Sequence, residues 1–260
     1  MRIVRFSVRG RVKYGILDGN IIHSLMSNPF ACFKGPDSSF IIDDNSQELG
    51  EVRILAPCLP SKIVGVGLNY RSHAEETKLA IPSVPLIFLK PSTAVVGPGD
   101  EIILPRFSRR VDYEGELGVV IGKEAKDVPK DKAKDYILGY TCVNDVSERY
   151  AQKEDGQWTR AKGFDTFAPI GPWIETDVAP DDLHLETCLN GELRQSANTR
   201  DLIFAVNDLI SFISDIMTLL PGDIIATGTP SGIGPIRPGD VVEVKIDKIG
   251  TLRNFVVSQK

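Results

Sequence analysis

The sequence predicts a β-rich α+β fold with mixed sheets, divided into a small N-terminal domain over residues 1–58 and a larger domain over 59–260. Three observations carry this. Apolar runs of strand length dominate the chain, while only one long segment has helical period. The apolar runs also lengthen after APCLPSK, where Pro57 and Pro60 punctuate and stiffen the connection. A chain of 260 residues is long enough to bury a substantial core in this arrangement.

The first 58 residues read as short strands, IVRFSV, KYGILD and NIIHSL, joined by polar turns. The stretch FKGPDSSFIIDDNSQELG has no strong period, and no element is predicted in it. From residue 62 the strands are longer: KIVGVGLNY, PLIFLK, LGVVIG, YILGYTCV, HLETCLNG, DIIATG and DVVEVKI. Pro98-Gly99-Asp100, Pro221-Gly222-Asp223 and Pro238-Gly239-Asp240 each precede a β-rich run. Proline then glycine at the two central positions suits a type II turn. The long helix is predicted over Asp201 to Leu220, where Leu202, Val206, Leu209, Ile213, Ile216 and Met217 recur at helical spacing. Pro221-Gly222 stops it. A shorter helix is predicted from Ser72, with Ser72-His73-Ala74-Glu75 as a capping box, and another near Ser147 in NDVSERYAQ.

Composition narrows the function classes. Apolar content of 42% and charged content of 25% are those of an ordinary globular chain. The net charge is −5, with Lys and Arg scattered, which argues against a nucleic-acid partner. No apolar run approaches the length of about 18 that a membrane span needs. The opening MRIVRFSVRGRVKYG alternates apolar and basic residues and lacks the apolar centre of a signal peptide, so a cytoplasmic protein is expected. The four cysteines show no C-x-x-C spacing, which favours reduced thiols over a zinc site. With three histidines, any metal would be held mainly by oxygen ligands. Neither G-x-G-x-x-G opening a helix nor a P-loop is present.

The stretch VDYEGELGVVIG poses the sharpest question. Strand period two puts Asp112, Glu114 and Glu116 on one face of a run that ends as a buried strand. Either that face points to water, or a divalent cation supplies the missing charge. Mg²⁺ takes one or two carboxylates with waters and a substrate oxygen, whereas Ca²⁺ takes more protein ligands. Asp145, in GYTCVNDVSERY, follows an apolar strand and is either a helix cap or a third carboxylate at a strand end. His73 and Glu76 lie three apart on the predicted helix, as an exposed pair or as an oriented general base. The following TKLAIPSVP is an ordinary loop or a lid. Lys162 sits in QWTRAKGFDTFAPIGP, which reads as a shaped, partly buried loop, and could bind a substrate carboxylate or a developing enolate. TGTPSGIG offers backbone N–H groups and the Thr229 hydroxyl to an anion.

Seven segments in order resemble the fumarylacetoacetate hydrolase family: VGLNYRSHAEE, PLIFLKPSTAVVGPGDEIILP, DYEGELGVVIG, GYTCVNDVSERYAQ, QWTRAKGFDTFAPIGPW, LNGELRQSANTRDLIF and LLPGDIIATGTPSGIGP. The resemblance runs from about residue 60 to 245 and implies a catalytic domain built as a mixed β-sheet roll. It implies a divalent metal, Mg²⁺ or Mn²⁺ with Ca²⁺ as a further option, at Glu114, Glu116 and Asp145. His73 and Glu76 match the dyad of members that cleave C–C bonds, carried on a mobile helix. Lys162 matches the active-site lysine and Thr229 the substrate-contacting threonine, while Asp112 matches no ligand position. The N-terminal segment resembles the small domain of isomerase-like members, and a homodimer is implied. The expected substrate is a small 2-oxo or 2,4-diketo acid, and the expected reaction is hydrolysis of an acylpyruvate-type C–C bond through a metal-stabilised enolate. Oxaloacetate decarboxylation and 2-hydroxyhepta-2,4-diene-1,7-dioate isomerisation use the same site physics. A non-catalytic oxo-acid-binding protein is the alternative from another class.

Overall fold

The computed structural model describes residues 1–78 and 80–260. Its main sheet has twelve strands. Ten follow one path: Ile42–Glu48, Ile21–Leu25, Arg11–Asp18, Arg2–Val8, Ala168–Glu175, Ile137–Asn144, Gly115–Ile121, Ile224–Ala226, Lys62–Gly67 and Leu86–Pro91. The path is antiparallel except where Ile224–Ala226 runs parallel to Lys62–Gly67. A second, five-stranded sheet orders Glu192–Asn198, His184–Leu189, Val241–Ile246, Gly250–Ser258 and Glu101–Leu104, the last pair parallel. A small third sheet joins Ser147–Glu148, Val111–Tyr113 and Gly234–Pro235. The predicted β-rich α+β class with mixed sheets is what the chain adopts.

Strand Gly115–Ile121 shows why its run is uninterruptedly apolar. Leu117, Val119 and Ile121 face a core shared with the second sheet (Leu185, Val244, Leu252) and the helix Val206–Ile216. Val120, on the other face, packs with Ile63, Ile224 and the N-terminal residues Ile3 and Phe33. A strand covered on both sides carries no polar alternation. The N-terminal strands extend the main sheet through Arg2 opposite Glu175 and Ile3 opposite Ile174, and their own small core is Val4, Phe6, Leu17 and Ile22.

The three Pro-Gly-Asp turns close as expected. Gly99, Gly222 and Gly239 have φ of +77°, +90° and +95°, and each following Asp N–H donates three residues back, to Gly97, Leu220 and Arg237.

Several elements differ from expectation. Ile42–Glu48 is a strand inside the segment without a period; it is a mostly exposed edge, so no apolar face marks it. Ala168–Glu175 is a central strand hidden by Pro169 and Pro172, and its pairing with Ile137–Asn144 breaks register between Tyr140 and Cys142. The long helix is Val206–Ile216, not Asp201–Leu220. Before it, Asn69 holds the chain out of the helix: its O accepts the Ile203 N–H and its Oδ1 the Phe204 N–H, both at 2.8 Å. After it, Leu219 and Ala125 exchange backbone hydrogen bonds, so Met217 to Leu220 is extended and Ile216 is exposed. The helix expected at Ser72 is Arg71–Thr77; Tyr70 occupies the cap position and no capping box forms. The helix expected near Ser147 is Arg149–Asp155, capped by Glu148, which accepts the Ala151 N–H at 2.6 Å. No helix among the described residues is long and apolar enough to cross a membrane.

Candidate active site and metal centre

The acidic row straddles two sheets. Val111–Tyr113 belongs to the small sheet and Gly115–Ile121 to the main one, with Glu114 at the switch. Antiparallel pairing sets Gly115 opposite Asn144 and Glu116 opposite Val143, which carries Asp145 to the same place. The Glu114 N–H donates to Asn144 Oδ1 at 3.0 Å, and the Asp145 N–H donates to Glu114 O at 2.8 Å. Glu114, Glu116 and Asp145 are all buried, and each offers a carboxylate oxygen within 4.8 Å of the others. Burial rules out the solvated-face alternative, and Glu148 rather than Asp145 is the helix cap.

Buried cations hold two of the three acids. Lys162 Nζ donates to Glu114 Oε2 at 2.7 Å and to Asp145 Oδ2 at 2.5 Å. Lys90 Nζ donates to Asp145 Oδ1 at 2.5 Å and to Val146 O at 3.1 Å. Arg149 Nη2 lies 2.5 Å from Glu114 Oε1, an ion pair without hydrogen-bond alignment. Glu116 differs. It accepts one hydrogen bond, from the Gly228 N–H at 2.8 Å, and has no ion-pair partner among the described residues. Gly228 has φ +100°, and a Cβ there would come within 2.7 Å of Asn69 Cβ, so glycine is needed to bring that amide close.

Electrostatics separate the two glutamates. Burial pushes both toward the neutral form. For Glu114 the Arg149 guanidinium and Lys162 ammonium overcome burial and hold the carboxyl well below the usual carboxylate range. For Glu116 the neighbouring Asp145 and Glu114 charges reinforce burial, and the carboxyl rises well above that range. Burial depresses the Lys90 ammonium, whereas at Lys162 the Asp145 and Glu114 carboxylates outweigh burial and raise it. This donor set fits a hard divalent cation: three buried oxygens converge, and the one without an ammonium or guanidinium partner lacks a positive charge.

A cavity of about 450 Å³ opens onto the acids, with Lys162, His73, Arg149 and Thr229 in its polar lining and Val66, Leu68, Phe88, Trp158 and Ile233 in its apolar wall. Lys162 ends a short helix, Thr159–Lys162, not a loop, and its Nζ lies 4.8 Å from the centre of the Phe88 ring. His73 is buried, with Nδ1 3.2 Å from Glu76 Oε2. Glu76 Oε1 also accepts the Gly232 N–H at 3.0 Å, so the dyad rests on the Gly-rich loop. Glu75 is exposed. In TKLAIPSVP, Leu79 lies outside the described residues and 80–85 has no regular structure. The Thr229 hydroxyl donates to Gly115 O at 2.9 Å and accepts from Gln195 Nε2 at 2.8 Å. Lys90 and Arg149 went unrecognised in the sequence. A lone lysine in PLIFLK was the available signal for Lys90; for Arg149 there was none.

Residues 62–257 match the model of the fumarylacetoacetate (FAA) hydrolase C-terminal domain, and residues 1–57 match the Rv2993c-like N-terminal domain. The chain belongs to the fumarylacetoacetate hydrolase family. It is 46% identical to a solved 2-hydroxyhepta-2,4-diene-1,7-dioate isomerase from Mycobacterium marinum, covering 100% of this chain and 99% of that one with a TM-score of 0.91. It is 41% identical to a 2,4-didehydro-3-deoxy-L-rhamnonate hydrolase of Sphingomonas sp., over 98% of this chain and 96% of that protein. It also matches maleylpyruvate hydrolase from Sphingobium sp. SYK-6, solved with manganese(II) and pyruvate, at 32% identity, 100% coverage of both chains and a TM-score of 0.82. The expected family, the small N-terminal domain and the catalytic domain are thus all present. The chain is a family member of the hydrolase and isomerase type, with a buried acidic triad able to take a metal.

Proposed function

We propose that this chain is a divalent-metal-dependent hydrolase that cleaves a C–C bond in small 2,4-diketo acids of the acylpyruvate type. One observation carries the reading: His73, paired with Glu76, lines the same cavity as the three convergent carboxylates. Oxo-acid binding alone needs no oriented base. The likeness to the maleylpyruvate and rhamnonate hydrolases supports it.

Mg²⁺ or Mn²⁺ held by Glu114, Glu116 and Asp145 would supply Lewis-acid stabilisation of the negative charge that develops on the 2-oxo group. The protein's own groups do the rest. Glu76 accepts the Nδ1–H of His73, which leaves the Nε2 lone pair free to take a proton from water attacking the distal carbonyl. Collapse of the tetrahedral adduct breaks the C–C bond, releasing a carboxylic acid and the enolate of a 2-oxo acid, which is protonated at carbon. Lys162 places its ammonium against the charged fragment, and Thr229 contacts the bound acid. The apolar wall of Val66, Phe88 and Trp158 excludes water from the rest of the substrate.

A panel of acylpyruvates, oxaloacetate and 2-hydroxyhepta-2,4-diene-1,7-dioate with Mg²⁺ or Mn²⁺ tests the reading. Acylpyruvate hydrolysis that is lost in His73→Ala is the expected result. Hydrolysis unaffected by that substitution would sink the dyad, preferred turnover of the other two would assign decarboxylase or isomerase, and tight oxalate binding without turnover would favour a binding protein. A cytoplasmic homodimer, with the domain boundary at residues 58 and 59, completes the proposal; sedimentation tests the dimer.

A further inference from the structure

We propose that Asp112 is a positioning residue for Glu114, acting through Arg149; the inference rests on the metal reading above. Asp112 is fully buried. Its Oδ1 accepts Arg110 Nε at 2.9 Å, and its Oδ2 accepts Arg110 Nη2 at 3.1 Å and Arg149 Nε at 2.9 Å. Arg149 is thereby fixed at all three nitrogens: Nε on Asp112, Nη1 on Gln152 Oε1 at 2.9 Å, and Nη2 against Glu114 Oε1. The backbone holds both arginines in place. The Arg149 N–H donates to Arg110 O at 2.9 Å, and Glu148 Oε1 accepts the N–H groups of Arg109 and Arg110.

Two consequences follow from this geometry. A guanidinium hydrogen-bonded at Nε and Nη1 cannot turn, so its Nη2 is set against Glu114 Oε1, while Oε2 accepts Lys162 Nζ. An unbalanced Arg149 would also place a positive charge beside the cation site. Asp112, which Arg110 also shares, offsets part of that charge, so Glu114 is aimed with less repulsion of the metal. Arg110, half exposed, closes the outer side of Asp112 in contact with solvent. Asp112 thus shares the acidic stretch with Glu114 and Glu116 yet serves as the back support of the site.

The test is Mn²⁺ affinity by calorimetry on full-length wild type, Asp112→Asn, Arg149→Lys and the double variant, with melting temperatures of the metal-free proteins alongside. Lysine keeps the charge but cannot span Asp112 and Glu114 together. Asp112→Asn weakens Mn²⁺ binding by about tenfold or more, as loss of a ligand-orienting partner does. Arg149→Lys weakens it comparably, and the double variant stays within about twofold of the weaker single one, because both act on one chain of contacts. A merely structural role for Asp112 would lower the metal-free melting temperature and leave Mn²⁺ affinity at the wild-type value, overturning the inference alone. Losses that multiply in the double variant would overturn it too. Should Asp112→Asn fail to fold, wild-type affinity in Arg149→Lys overturns it and a comparable loss supports it. Wild-type protein that binds no Mn²⁺ would overturn the metal reading and this inference together.

Discussion

Two buried carboxylates, Asp223 in the turn that enters strand Ile224–Ala226 and Glu116 on the neighbouring strand Gly115–Ile121, do opposite things. Asp223 is completely buried. Its Oδ1 accepts Ser61 N–H, Ser61 Oγ–H and Lys62 N–H at 2.9, 2.7 and 3.2 Å. Its Oδ2 accepts Lys62 Nζ at 2.5 Å and the Leu220 N–H at 2.9 Å. Glu116 is almost as buried and, among the described residues, receives only the Gly228 amide. An acid satisfied from every side is a joint, here pinning the start of strand Lys62–Gly67 to the turn at 220–223. An acid left short of positive charge in a cavity wall has room for a ligand.

The largest effects should separate the two. Glu116→Gln abolishes Mn²⁺ binding and turnover while the metal-free protein melts no lower than wild type, since the neutral amide takes the place of a carboxyl that burial and the neighbouring acids already push toward its neutral form. Asp223→Ala does the reverse: denaturant unfolding shows a loss of about 3–5 kcal/mol, as for a broken buried pair, and Mn²⁺ affinity is kept. If Asp223→Ala loses metal and stays stable, the contrast fails. His73→Ala comes next, with kcat for acylpyruvate hydrolysis falling by about 10²–10⁴-fold and Mn²⁺ affinity unchanged.

A smaller effect appears in the pH dependence of metal-free stability. Glu116 is raised above its ordinary value of 4.5, so above that pH the folded chain holds a proton that the unfolded chain releases. Its contribution is full below 4.5 and is lost as pH rises through the folded pKa. Glu114 is lowered, so its contribution is present above 4.5 and is lost as pH falls toward its depressed folded value. Metal-free wild type should therefore lose more stability than Glu116→Gln as pH rises from 4.5, read by unfolding at several pH values. Smallest of all, Glu75→Ala leaves turnover unchanged, because that side chain is not the partner of His73, whereas Glu76→Ala removes the carboxylate that holds His73 Nδ1 and lowers turnover.

The same contrast explains what the sequence made legible. Strands such as LGVVIG declared themselves because both faces are buried. Glu114, Glu116, Asp145, Lys162 and His73 were nominated from segments far apart in the chain, and the fold does gather them around one cavity. The roles of Asp112, Arg149 and Lys90 stayed hidden because each is defined by a partner. An aspartate beside two arginines and an aspartate beside a water-facing strand look the same in one dimension. The central strand Ala168–Glu175 stayed hidden behind its prolines; its pairing with Ile137–Asn144 lapses beside Pro172. The excess length expected of the helix at Asp201 has a similar origin: Asn69, in the connection after strand Lys62–Gly67, overrides local period.

The most direct test of the account is anomalous diffraction from crystals of the full chain grown with Mn²⁺. The account predicts one anomalous peak within ligand distance of carboxylate oxygens from Glu114, Glu116 and Asp145, lost in Glu116→Gln. No peak there, or a peak that survives Glu116→Gln unchanged, would contradict it.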